Sequence, residues 1–328
     1  MKNGAREGEA ALKHDERHAI VALAADPSRT AAMPERRWLA RARLHRRNRR
    51  EDFLPRILDA LSLPPPDGGL AACRFRDWSG EPPQGWVAAA DPVYLETRAN
   101  HLRLRAFPAS ELPADEVRDI FELLQERLGE TQPRTFTAAG ATGYLRLATP
   151  IATAAVSPAV ADGASPEWFL PQGPAAAGHD RWHSEVQMCL YDASVNQRRM
   201  RSGRLPINGL WFWGGGEAPP PARRTLPVLF GADPVVRGYW HGSLARAEAW
   251  PGNFSACADG AGGGFVAVVP GTPEPASALA ELRRLLARGR IRRLSLLFPG
   301  GLSAELRRSD RLRFWRRPAD GPAEGGEP

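Results

Sequence analysis

Leu210, Trp211, Phe212 and Trp213 follow one another without a polar break and run directly into Gly214, Gly215 and Gly216. Successive side chains on a strand point to opposite faces, so the two tryptophans project one way and the leucine and phenylalanine the other. Neither face can be left to water, because each large aromatic group brings roughly 150–250 Å² to bury. The segment therefore predicts a strand covered on both sides, central in a mixed sheet flanked by helices. At 328 residues the chain fits one large or two moderate cores of α/β (mixed α+β) class.

Proline and glycine clusters divide the rest. Residues 51–63 predict a short amphipathic helix with Phe53, Ile57, Leu58 and Leu61 on one side, ended by Pro64–Gly69. The stretch from Cys73 to Trp86 reads as loop. Leu102, Leu104 and Ala106 alternate with His101, Arg103 and Arg105 as on a strand. Ser110 is placed to cap a helix whose stripe is Val117, Ile120, Phe121, Leu124 and Leu128, and Tyr144–Leu147 reads as a strand. Beyond Pro219–Pro221, strands are expected at 226–230, 265–269, 291–298 and 311–316, with helices around 235–240 and over 276–287. The expected organisation is a basic, flexible extension over 1–50, a globular α/β domain over 51–317 with a break at 217–225 that permits two lobes, and a disordered tail over 318–328.

Charge is concentrated rather than spread. Arg36, Arg37, Arg41, Arg43, Arg46, Arg47, Arg49 and Arg50 exceed the chain's whole net charge of +7 by themselves. A helix through Trp38, Leu39 and Leu44 would carry them around its circumference, as a solvated extension or as a contact to nucleic acid or another acidic surface through Arg36 to Arg50. No apolar run is long enough to cross a membrane, and Ala19–Ala25 is too short and too late for a secretory signal, so a soluble cytoplasmic protein is expected. Cys73, Cys189 and Cys257 are distant and odd in number, which supports neither a disulfide framework nor a metal knuckle.

The richest polar stretch is Pro171–Gly216. One helix is expected to carry Glu185, Gln187, Asn196 and Arg199 towards a turn at Pro206-Ile207-Asn208 and then the aromatic strand. Asn196 and Arg199 lie one turn apart, so both can face that turn. If Glu185 pairs with Arg199 the network serves the fold; otherwise the guanidinium can hold a carboxylate or phosphate. The candidate ligand-binding set is Glu185, Gln187, Asn196, Arg199, Asn208, Trp211, Trp213, Gly214 and Gly215. The glycines can turn the chain or present N–H groups to phosphate, although Pro219–Pro221 supplies no following helix N-terminus. His179 and His183 have the spacing for one metal on a helix face or for a polar helix start; no metal and no cofactor is expected from them.

Several segments together resemble the RpfE-type regulatory proteins of bacteria: ADPVYL at Ala90–Leu95, LPQGP at Leu170–Pro174, SEVQM at Ser184–Met188, VNQRR at Val195–Arg199, LPINGLWFWGGG at Leu205–Gly216 and RFWRR at 313–317. That family is in turn similar, around Val-Asn-x-x-Arg and Pro-x-Asn, to part of the archaeal-type cofactor-independent phosphoglycerate mutases. The resemblance implies a non-catalytic regulatory protein that binds an anionic, phosphorylated small metabolite. The alternative it implies is a mutase requiring Mn or Mg and an activated serine or threonine. A nucleic-acid adaptor working through the arginine segment is the third reading.

Overall fold

The computed structural model describes residues 17–24, 33–98, 101–129, 134–262, 264–271 and 275–312. The chain opens with β1 (His18–Ala22), α1 (Met33–Leu39), β2 (Arg43–Arg46), α2 (Phe53–Ala60) and α3 (Leu70–Ser79). It continues through β3 (Val87–Thr97), β4 (Leu102–Ala106), α4 (Ala114–Leu128), β5 (Arg134–Ala139), β6 (Thr142–Leu147), α5 (Pro158–Ala161), α6 (Ala176–Tyr191), α7 (Ser194–Arg201) and β7 (Gly209–Gly216). The last third is β8 (Val228–Gly231), α8 (Pro234–Gly242), β9 (Ala247–Glu248), α9 (Phe254–Gly260), β10 (Phe265–Val268), α10 (Pro275–Ala287), β11 (Arg293–Leu297) and β12 (Leu302–Arg307).

These strands form two sheets. The larger is ordered β2-β12-β11-β1-β10-β8-β9; the smaller is β4-β3-β6-β5, with β7 paired to β3. In the larger sheet β1 lies parallel between β10 and β11, while β12 and β2 extend it antiparallel. The smaller sheet is built from 87–216, the larger from the segments on either side of it. The Pro219–Pro221 stretch carries the chain from β7 back to β8.

Side-chain alternation sorts the layers. Ile20 and Ala22 of β1 join Leu229, Val266 and Leu297 in a core shared with Trp211 and Trp213 of the other sheet. Helices α2, α3 and α8 fill that middle layer through Ile57, Leu58, Ala72, Val236 and Trp240. Ala19 and Val21 face the opposite way, into a core closed by α9 and α10. Leu210 and Phe212 face a third core under α4, α6 and α7. The result is helix, sheet, helix, sheet, helix.

Several expectations change. Residues 1–50 are not an extension throughout: residues 18–22 are fully enclosed at the centre of the larger sheet, since the flanking strands arrive more than 240 residues later. The arginine segment is not one helix; α1 stops at Leu39 and Leu44 lies on an edge strand whose four residues are all exposed. The stretch after Leu70 is a helix whose first half, 70–74, is buried against the smaller sheet and α8, where a run of small apolar residues replaces the one-sided stripe of a surface helix. Pro113, not Ser110, precedes α4. β7 is covered on both faces as expected, yet it is not central: its far edge is closed by a bridge from Ala154 to Trp213. The last described strand is residues 302–307 rather than 311–316, of which Arg311 and Leu312 end a 3-10 turn and 313–316 lie outside the described residues, as does the 318–328 tail.

Candidate anion-binding site

The hydrogen-bonding groups of the polar residues in Pro171–Gly216 meet the fold itself. The expected single helix is two, α6 and α7, parted at Asp192 and Ala193. Asn196 donates to the carbonyls of Leu190 and Ile207 and accepts from the Ile207 N–H, all at 2.8 Å. Asn208 mimics a strand residue, accepting from Leu95 N–H at 2.7 Å and donating to its carbonyl at 2.9 Å. Arg199, 1 % exposed, pairs with Glu116 at 2.7 Å rather than with Glu185, and also donates to the Leu205 and Glu111 carbonyls. Arg204 holds the same carboxylate. Glu185 turns outward to Arg181 at 3.0 Å, with Arg134 at 3.8 Å, and Gln187 is half-buried on the same helix.

The aromatic strand is also tied into the interior. Trp211 Nε1 donates to the Val156 carbonyl and Trp213 Nε1 to Asp91, both at 2.8 Å. Asp91 in turn holds Arg74 at 2.8 Å, a buried pair with the guanidinium over the Tyr144 and Trp213 rings. The glycines let the start of α3 approach: a Cβ on Gly216 would lie 2.4 Å from Gly69 N, and on Gly214, at φ +60°, 3.0 Å from Ala71 N. The Gly215 N–H donates to Thr153 Oγ1 at 3.0 Å. Close packing on backbone accounts for Gly214 and Gly216, and the Trp86 and Thr153 side chains leave no room for a Cβ on Gly215.

Unspent positive charge gathers elsewhere, at the end of the larger sheet where β11 begins and β12 ends. Because the two strands are antiparallel about the 3-10 turn Pro299–Gly301, the doublets Arg292-Arg293 and Arg307-Arg308 meet at the open end of the hairpin, with Arg293 directly opposite Arg307. β1 runs beside β11 with His18 against Arg293, which adds Arg17. These five arginines, with Gly289 and Ser309, line a depression of about 430 Å³ with no carboxylate from the described residues in its wall. Among the described residues only the Arg293 guanidinium of the five pairs with a carboxylate, Glu305 at 2.9 Å, while the Arg307 backbone N–H donates to Asp310 at 2.8 Å. Like charges directly across a ladder are destabilising, so the arrangement favours occupancy by an anion.

Arg293 also borders a second cavity, of about 320 Å³, beneath α2. There the sheet face turns polar: Ser295, 3 % exposed, meets His18 Nε2 at 2.9 Å, and Glu305, Ser303 and His45 follow across β12 and β2. Arg56 closes its floor by donating to the Phe298 and Leu302 carbonyls, both at 2.6 Å. The doublets were a readable signal, two Arg-Arg pairs bracketing one apolar hairpin. Arg17 was not, since its place depends on the parallel register of β1.

His179 and His183 stack at 6.1 Å on α6; burial lowers both, and His183 reaches about 4 with His179 beside it. No group of three or more histidine, cysteine, aspartate or glutamate side chains suited to a metal occurs among the described residues. All three cysteines are unpaired and buried, with burial pushing Cys73 and Cys257 up to about 12. No described helix is long and apolar enough to cross a membrane.

No protein family and no curated protein matches the chain. Among solved structures it is similar to a cofactor-independent phosphoglycerate mutase from Thermoplasma acidophilum, at 16 % identity and TM-score 0.38 over 88 % of this chain and 89 % of that one. It is also similar to the PH0037 protein from Pyrococcus horikoshii, at 11 % identity and TM-score 0.46 over 88 % and 86 %.

Proposed function

We propose that this chain is a binding protein for a small anionic, phosphorylated metabolite, held at the arginine-lined end of the larger sheet. The observation that carries the reading is the convergence of Arg17, Arg292, Arg293, Arg307 and Arg308 on one depression with no acid from the described residues in its wall. Guanidinium groups fork onto phosphate oxygens with two parallel N–H bonds, and several around one concavity suit a dianion better than a carboxylate alone. The ligand site therefore moves away from Asn196, Arg199 and Asn208, whose groups are engaged by backbone and by Glu116. The regulatory role implied by the RpfE-type resemblance is, in this reading, exercised through occupancy of the depression.

The test is thermal stability of the full chain with 3-phosphoglycerate against glycerate at matched ionic strength. A ligand at one hundred times its Kd stabilises by about 2.7 kcal/mol. The phosphorylated acid is expected to raise Tm and glycerate to leave it unchanged. The double variant Arg292→Glu, Arg308→Glu should fold and lose the response. Equal shifts with both acids, no shift with either, or a shift surviving in the double variant would each overturn the reading.

A further inference from the structure

The arginine depression does not end at its own rim. Arg307 and Arg308 also border a neighbouring cavity of about 190 Å³ between α1, α10 and β12. Its wall differs in kind: Trp38, Leu286, Ala287 and Leu306 supply apolar surface, while Arg41, Arg283, the two shared arginines and the Asp310 carboxylate stand around it, with Arg283 also 3.8 Å from Glu35. Trp38 is 9 % exposed and belongs to the core beneath α10, so its ring is fixed by packing rather than free to fold over the opening. At about 30 Å³ per water, the space equals roughly six waters, the scale of one planar ring system.

We propose that the phosphorylated ligand is a nucleotide, its base seated in the Trp38 cavity and its phosphates on Arg292 and Arg308. The proposal rests on the anion-binding reading and specifies what the anion carries. A planar base has two apolar faces and a polar edge, which suits a cavity with an aromatic wall and arginines at its mouth. The two arginines shared by both cavities stand where base-bearing sugar and phosphate would join. A three-carbon acid would fill the basic depression and leave the apolar one to water.

Isothermal titration of the full chain with adenosine diphosphate, inorganic pyrophosphate and adenosine separates the possibilities. The diphosphate nucleotide is expected to bind at least tenfold more tightly than pyrophosphate. Ala287→Phe, at an exposed position that fills the apolar cavity, should abolish that advantage and leave pyrophosphate affinity within twofold. Arg308→Glu should weaken both. Pyrophosphate binding as tightly as the nucleotide would sink the proposal while leaving the anion site standing; binding of neither would remove both. An unchanged nucleotide preference in Ala287→Phe, with the variant's far-ultraviolet spectrum unaltered, would also overturn it.

Discussion

Arg199 shows how a single residue can carry every mark of a ligand contact and still serve the fold. From the sequence, a guanidinium one turn from Asn196 and near a Pro-x-Asn turn points at an anion. In the structure that anion is Glu116, on a helix more than 80 residues earlier, a partner no local pattern discloses. A buried pair broken on one side leaves the other charge uncompensated, at a cost of about 3–5 kcal/mol. Arg204 shares the Glu116 carboxylate and offsets part of that. Arg199→Ala is therefore expected to lose about 3 kcal/mol in urea unfolding, with the response to phosphorylated ligand intact. A variant of native stability that no longer responds would return the binding site to α7.

Helix packing was legible where a helix has a wet side and obscure where it has none. α2, α4 and α10 face solvent along one stripe, and their apolar spacing marked them; α3, buried over 70–74 between the smaller sheet and α8, has no such contrast there. Its burial is paid in glycine instead. A Cβ on Gly238 of α8 would come within 1.7 Å of the Cys73 carbonyl of α3, so the two helices touch backbone to backbone. Gly178, in the first turn of α6, has nothing within 4 Å of the same added atom. Gly238→Ala must push α8 from α3 and is expected to cost about 3 kcal/mol. Gly178→Ala only stiffens the unfolded chain and favours the helix, and should stabilise by about 0.5–1 kcal/mol. Chemical denaturation of both variants reads the contrast, and a Gly238→Ala protein as stable as the parent would refute the described contact between α3 and α8.

At the scale of the whole molecule, the long return of the chain is what the sequence hid. Five residues of β1 look like a fragment of a polar leader until β10 and β11 close on both sides of them, and no local signal announces partners so distant. The same return brings acids into the middle layer between the sheets. Asp52, at the start of α2, accepts from the Ser157 N–H at 2.9 Å, and burial raises its carboxyl to about 6, with Asp233 adding to the rise and Arg74 opposing it. Burial also raises Asp233, against the Val235 and Val236 N–H bonds, and Asp77, against Arg237 and His241. For a carboxyl raised on folding, the native state holds its proton after the unfolded chain has lost it. Stability therefore falls as pH climbs from about 4 to about 6, and the penalty is constant above that. Asp52 retains some exposure, which discounts the full shift, leaving on the order of 2 kcal/mol. Asp52→Asn keeps an acceptor for Ser157 and carries no charge. Urea unfolding across pH 4–7 should show the variant gaining on the parent through this window and holding a constant lead above it, whereas parallel curves would mean that the carboxyl ionises as freely in the fold as in water.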